Sequence, residues 1–338
     1  MMTELLSDRL NRPLRDLRIS VTDRCNFRCT YCMPKEVYGD EYAFLPKSEL
    51  LSLKEMTRLA TIFVQMGVKK IRLTGGEPLL RNDLPEFVNM LRKIEGLEDI
   101  ALTTNGLLLK KYGKSLYEVG LRRLNISLDA LSKETFSNMN GRGIDPKLIL
   151  ENIDYAKNLG FSVKVNMVVQ KGVNEQEIMP MSAYFKEKEI TLRFIEFMDV
   201  GEDNNWSFQQ VVTKKDILSK LLRHYQLTPV KANYYGEVAD RYRYDNSHVE
   251  IGFITSVSES FCSSCTRARL SSDGKMYTCL FASNGYDLKE LLRGNVTNEE
   301  LANAIWQIWN TRNDRYSDER TELTAKSRKK IGMSYIGG

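Results

Sequence analysis

No run of eighteen apolar residues occurs in this 338-residue chain, which excludes a helix long and apolar enough to cross a membrane. The opening residues, MMTELLSDRLNRP, mix acidic and basic side chains without an apolar run, so no export signal is visible and a cytoplasmic protein is expected. There are only two histidines, His224 and His248, far from every cysteine and too few to build a His-based metal site. The excess of one charge is also small: the formal net charge is +5, spread along the chain. The densest basic stretch, Ser327–Lys330 (SRKK), is too short to argue for nucleic acid. Neither nucleic acid nor membrane is expected as a partner. Nor is there a low-complexity linker or an internal repeat beyond a strand–helix rhythm.

What the chain does have is six cysteines in two groups, with none left over: Cys25, Cys29, Cys32 and Cys262, Cys265, Cys279. Without an export signal, close-spaced cysteines read as metal ligands, because the cytoplasm keeps thiols reduced.

Between Asp16 and Val200 short β-rich runs alternate with amphipathic stretches. The strand candidates are residues 16–22, 69–75, 99–105, 123–129, 162–169 and 191–198. Helical patterns such as 48–67 and 146–160 end on glycine. Such alternation implies βαβ units and a parallel sheet. Six units of roughly 35 residues approach the spacing of an eightfold α/β barrel. The expected fold is therefore α/β, an incomplete (βα)6 TIM-type barrel. A C-terminal extension carrying the second triad would close its open side. Residues 252–260 and 268–281 read as strands there, the latter a hairpin turning at Asp273-Gly274. Helices are expected near Asp287–Leu292 and Asn298–Asn310. The division falls into residues 1–223, the partial barrel, and residues 224–338, the extension.

The first triad, in VTDRCNFRCTYCMP (21–34), follows the first strand, at the barrel end where α/β barrels keep their chemistry. Its spacing is C-x-x-x-C-x-x-C. Three thiolates can hold an iron–sulfur cubane and leave one iron open to a further ligand. A zinc site would use C-x-x-C pairs with a fourth Cys or His, and none is nearby. The second triad has C-x-x-C, thirteen residues, then Cys279, again three thiols without an obvious fourth ligand. A second open cluster fits it better than a zinc knuckle.

Several strand candidates also carry polar residues spaced by two and hence on one face. These are Arg72/Thr74, Thr103/Asn105, Asn125/Ser127/Asp129, Lys164/Asn166 and Glu196/Met198. Buried strands of a parallel sheet are normally apolar on both faces, so a polar lumen is expected. Arg72 and Lys164 there call for an anion, and Arg267 and Arg269, also spaced by two, join Arg18 in a candidate triphosphate clamp.

The cysteine loop, followed one βα unit later by LTGGEPLL (73–80), resembles the signature of the radical S-adenosylmethionine superfamily. PLRDLRISVTDRCNFRCTYCMP, LTTNG, NISLDAL, VKVNMVVQKGVN, RFIEFMDVG, TRARLSSDGKMYTCLF and the closing Gly337-Gly338 are similar to the GTP 3′,8-cyclases of molybdenum cofactor biosynthesis, the MoaA family.

That resemblance implies a lyase with two four-iron four-sulfur (4Fe-4S) clusters and S-adenosyl-L-methionine. It places Cys25, Cys29 and Cys32 on the cluster that binds S-adenosylmethionine, with Tyr31, Gly76, Ser127 and Met198 around that cofactor. It places Cys262, Cys265 and Cys279 on an auxiliary cluster facing guanine, and Arg18, Arg72, Thr103, Lys164, Arg267 and Arg269 on GTP. Cys25, Cys29, Cys32, Arg267 and Arg269 are the implied catalytic set. A deoxyadenosyl radical would take the ribose 3′ hydrogen, and the sugar radical would attack guanine C8. The product would be (8S)-3′,8-cyclo-7,8-dihydroguanosine 5′-triphosphate. Implied partners are a second copy of the chain, a reductant such as flavodoxin or ferredoxin, and a downstream pyranopterin monophosphate synthase. The Gly-Gly terminus would thread into the site.

Two rival readings remain at the level of residues. One is another two-cluster radical enzyme, such as a peptide-modifying one, which would need a richer C-terminal cysteine set. The other is a non-catalytic iron–sulfur or zinc protein, which would need four-ligand sites.

Overall fold

The fold is built on a sheet whose strands are apolar on one side and polar on the other. Along β1 (Asp16–Ser20), Leu17 and Ile19 are buried against helices, while Arg18 lies on the opposite face. The same division holds for β2 (Lys70–Thr74), β3 (Asp99–Thr104), β4 (Arg123–Ser127), β5 (Ser162–Val169) and β6 (Thr191–Glu196). Their helix-facing side chains include Ile71, Leu73, Leu102, Ile126, Val165, Leu192 and Phe194, all fully or almost fully buried. Each such side chain contributes roughly 1.5–3 kcal/mol of burial free energy.

This computed structural model describes residues 6–201 and 204–337. Gly338, the last residue of the expected Gly-Gly tail, lies outside the described residues.

Helices α1 (Leu53–Gln65), α2 (Leu84–Arg92), α3 (Leu109–Glu118), α4 (Lys133–Asn140), α5 (Pro146–Asn158) and α6 (Ile178–Glu187) connect the six strands. Their starts are legible: Ser52 caps α1 in a reciprocal pair with Glu55, and Asp145 precedes Pro146 at the start of α5. The expected strand–helix rhythm over residues 16–200 is thus observed, with each strand ending one to two residues earlier than the sequence pattern except β5.

C-terminal to β6 and α7 (Lys214–Leu221), the chain lengthens the same sheet at both edges. β9 (Glu250–Ile254) adds parallel to β6, and β10 (Arg267–Leu270) returns to add parallel to β1. The strand order is β12-β11-β10-β1-β2-β3-β4-β5-β6-β9-β8-β7, with eight parallel strands from β10 to β9. Antiparallel β7 (Leu227–Val230) and β8 (Asp240–Tyr244) flank one end, β11 (Lys275–Tyr277) and β12 (Tyr286–Asp287) the other. The hairpin expected at Asp273-Gly274 is there, with Gly274 at φ +88°. So are the two helices, α8 (Lys289–Arg293) and α9 (Asn298–Asn310). Three short helices follow: α10 (Tyr316–Glu319), α11 (Glu322–Ser327) and α12 (Met333–Ile336).

Two expectations change. The strand placed at 252–260 ends at Ile254, because the Glu196 carboxylate draws the N–H groups of Val257 and Ser258 at 2.9 and 2.8 Å. Glu196 itself is therefore not a lumen residue; it braces that turn and accepts from Lys214 N at 3.0 Å. Among the described residues, no helix is long and apolar enough to cross a membrane.

Candidate functional site

The polar face of the sheet, the loops at the carboxyl ends of its strands and the segment ahead of β10 line one large cavity. All six cysteines border it. Its empty space is about 1650 Å³, open solvent at the mouth included.

The first triad sits on the loop after β1, gripped from both sides. Arg28 N and Thr30 N donate to the carbonyls of Asn140 and Met139 at the end of α4, at 2.9 and 3.0 Å. From the other side, Gly76 N donates to Thr22 O at 2.9 Å and Glu77 N to Arg24 O at 2.8 Å. A Cβ on Gly76 would fall 2.2 Å from Arg24 O, and one on Gly75, at φ +149°, 2.5 Å from Thr22 O. The close approach these glycines permit is thus to the cysteine loop itself. Glu77 completes the junction, accepting from Leu79 N, Thr104 Oγ1 and Asn105 N at 2.9, 2.7 and 2.7 Å. Burial pushes its carboxyl up to about 7 against those three hydrogen bonds.

The second triad sits on the turn before β10 and on the strand end after β11, brought together by the hairpin. The two sets have different surroundings. Burial pushes Cys25 up to about 12, Cys32 to about 11 and Cys29 well above the usual thiol range, with Glu77 adding to the effect at Cys25. Phe27 N donates to Cys25 Sγ at 3.4 Å, and the Ser334 backbone N–H donates to Cys32 Sγ. Burial likewise pushes Cys279 up to about 12. At Cys265 burial is outweighed by Arg267 and Arg312, which bring the thiol down to about 6.

The six cysteines are free thiols. Among the described residues, no three His, Cys, Asp or Glu side chains converge as a single ion requires. A cubane spreads its ligands over separate irons, so two sets of three thiols facing one cavity fit clusters. When bound, such clusters supply one-electron chemistry and an open iron for a chelating ligand.

Of the residues expected around S-adenosylmethionine, Tyr31, Gly76, Ser127 and Met198 all border the cavity. The Tyr31 hydroxyl donates to Asp129 Oδ2 at 2.8 Å, and burial raises the Asp129 carboxyl to about 6. Of those expected on GTP, Arg18, Arg72, Thr103, Arg267 and Arg269 border it too. Arg18 pairs in register with Arg72 on one side and Arg269 on the other, so three cations lie on adjacent strands about 5 Å apart. Burial, then Arg269, Arg72 and Arg267, hold the Arg18 guanidinium well below its ordinary value. Burial and Arg267 bring Arg269 down to about 10.

Lys164 is the exception. It lies two residues nearer the amino-terminal end of β5 than Asn166, which borders the cavity, and does not itself border it. Burial, then Arg193 and Arg123, lower its ammonium to about 8.

Arg193 is the residue the sequence reading missed. It borders the cavity, donates to Asn125 Oδ1, and is brought to about 9 by burial and by Arg72 and Arg123. The signal was present: Leu192 and Phe194 are apolar, so Arg193 and Ile195 take the other face, whereas Glu196 and Met198 have the opposite parity. Met198 reaches the cavity because β6 has already ended.

Arg72 Nε, Arg193 Nε, Arg267 Nη1, Asn125 Nδ2 and Asn166 Oδ1 are buried without a hydrogen-bond partner. Unpaired buried cations carry a large desolvation cost that a multiply charged anion removes. This polar face can take such an anion, between the first triad, after the carboxyl end of β1, and the second, ahead of the amino-terminal end of the parallel strand β10.

A family model described as Radical SAM superfamily matches residues 19–184, and one described as Molybdenum Cofactor Synthesis C matches residues 190–318. A GTP 3′,8-cyclase of Staphylococcus epidermidis strain RP62A is 59% identical over 340 residues, covering 100% of both chains. One of Staphylococcus aureus strain JH9 is 57% identical over the same span and coverage. Among solved structures, Streptococcus suis SuiB bound to S-adenosylmethionine superposes with a TM-score of 0.60 at 14% identity. That match covers 95% of this chain and 73% of SuiB, and it concerns the fold alone. The chain belongs to the GTP 3′,8-cyclase family.

Proposed function

We propose that this chain is a radical S-adenosylmethionine enzyme that cyclises GTP between ribose C3′ and guanine C8, a lyase at the first step of molybdenum cofactor biosynthesis. The single observation that carries the substrate is the row Arg18, Arg72, Arg193, Arg267 and Arg269 on the cavity's polar face, three of them with an unpartnered buried N–H. A triphosphate satisfies such a row bidentately, as a neutral peptide side chain does not. This favours a nucleotide over the peptide-modifying alternative.

The sheet is read as an incomplete (βα)6 barrel whose gap the C-terminal strands and second triad fill. Residues 1–223 then form the radical-generating part and residues 224–338 the part that selects substrate. Cys25, Cys29 and Cys32 would hold one 4Fe-4S cluster, with S-adenosylmethionine against Tyr31, Gly76, Ser127 and Met198. Cys262, Cys265 and Cys279 would hold the other. Arg18, Arg72, Thr103, Arg267 and Arg269 orient GTP, joined by Arg193, with Lys164 acting through space from the layer below. Their task is to fix the ribose and guanine relative to one another while apolar walls such as Phe27, Phe261 and Phe281 exclude water. The Gly337 carbonyl accepts from Arg269, so the tail reaches the polar face. A cytoplasmic setting, a homodimer, an iron–sulfur or flavin reductant and a following pyranopterin synthase complete the reading.

Anaerobic incubation with GTP, S-adenosylmethionine and a strong reductant tests it. Equal yields of 5′-deoxyadenosine and a cyclised guanosine triphosphate are expected. 5′-Deoxyadenosine formed without loss of GTP would refute the substrate and leave the radical chemistry standing.

A further inference from the structure

The amino-terminal segment ahead of β1 is tied to the second triad by buried charge. Arg12 and Asp8 have fully buried side chains and pair at 2.6 Å. Arg12 Nη1 donates to the Cys262 carbonyl at 2.8 Å and to the Asp314 carbonyl at 2.9 Å. The same Asp8 carboxylate lies 3.5 Å from Arg312, whose side chain is 1% exposed. Arg312 donates to the Cys265 carbonyl at 2.9 Å and to Cys265 Sγ at 3.3 Å, and pairs with Asp314 at 3.1 Å. Its guanidinium lies 4.5 Å from the centroid of the Trp309 ring, whose indole N–H donates to Arg12 O at 3.1 Å. Each cysteine of the C-x-x-C pair thus has its carbonyl held by an arginine, and one carboxylate joins the two arginines.

Among the described residues, no arginine or lysine side chain hydrogen-bonds a sulfur of the first triad. Arg28, beside it, spends its N–H groups on the carbonyls of Cys25, Phe27 and Tyr38 at 2.8, 2.8 and 2.5 Å.

The geometry points to Arg312 as a positioning residue for the second cluster: anchored by Asp8, it fixes Cys265 and sets a cation on that sulfur, drawing the cluster's reduction potential upward. Hydrogen bonds and positive charge at a cluster's sulfurs favour its reduced, more negative state. The inference rests on reading the second triad as a cluster site. It adds to that reading a difference in redox poise between two clusters that share one cavity.

The test uses the full chain, reconstituted anaerobically, with iron counted and each cluster followed by electron paramagnetic resonance in a potentiometric titration. Wild-type protein should hold about eight irons; about four would refute the two-cluster reading itself, independently of Arg312. Arg312→Gln should move the second cluster's midpoint to more negative potential and leave the first unmoved. Arg312→Lys, which keeps the charge but cannot serve the carbonyl, the sulfur and Asp314 together, should shift it less in the same direction. If Arg312→Gln fails to hold iron, Arg312→Lys carries the test. An unshifted potential in a variant that carries its iron would overturn the proposal. So would a lysine variant as iron-poor as the glutamine one, which would make Arg312 an anchor only.

Discussion

The two cysteine triads face the same cavity but are held by different means. Backbone fixes the first: its loop is clasped between the end of α4 and the Gly75–Glu77 turn, and its sulfurs meet N–H groups of Phe27 and Ser334. Charge does more at the second: Arg12 and Arg312 hold the carbonyls of Cys262 and Cys265 and Arg312 also reaches a sulfur, whereas at the first Arg28 reaches only carbonyls. The spacing of the first site can be written in a short motif, although its clasp also draws on α4 and on Ser334. A site made by side-chain charge draws on distant segments, here Asp8 and Arg312, more than three hundred residues apart.

The largest effect that would break this comparison comes from removing one thiol of each set. Cys25→Ala should abolish both 5′-deoxyadenosine formation and GTP consumption, whereas Cys279→Ala should abolish cyclisation and leave 5′-deoxyadenosine formation measurable by chromatography. Equal loss of both products in both variants would erase the division of labour.

Next comes Gly76→Ala. Its Cβ would meet the Arg24 carbonyl at 2.2 Å, so the clasp on the first loop has to open. A loss of about 3 kcal/mol in chemical denaturation is expected. With it should go depletion of iron at the first triad, read after reconstitution, while the second triad keeps its own. Retained iron at both would show that the glycines are not what secures the first loop.

The smallest effect concerns the tail that spans the two triads. The Tyr335 hydroxyl donates to Asp273 Oδ2 at 2.5 Å, joining α12 to the hairpin that carries the second triad, while Ser334 contacts Cys32 of the first. Tyr335→Phe removes a hydrogen bond to a buried carboxylate, worth about 1.5–3 kcal/mol. Cyclised product per 5′-deoxyadenosine should fall roughly tenfold. An unchanged ratio would mean the tail is held without this contact.

Much of the fold was legible because its signals are local. Leu17, Ile19, Ile71 and Leu73 alternate with polar residues, so strand positions and the strand–helix rhythm follow from short windows. Arg193 was legible by the same parity but was passed over for Glu196, a buried carboxylate that holds the turn at Val257 and Ser258 instead. Lys164 shows the reverse limit. Its parity is right, yet its depth along β5 leaves it below the cavity, and depth depends on how strands are staggered.

By itself the sequence determined the two sets of thiols, the strand–helix rhythm and the polar face of the sheet, because each rests on spacing within a few tens of residues. Only the tertiary structure decided that β9 and β10 extend the sheet from both edges, that both triads open onto one cavity, and that Asp8 and Arg312 meet at Cys265. Those outcomes depend on contacts between segments hundreds of residues apart, where burial removes water and makes each unpaired charge seek a partner that no local pattern names.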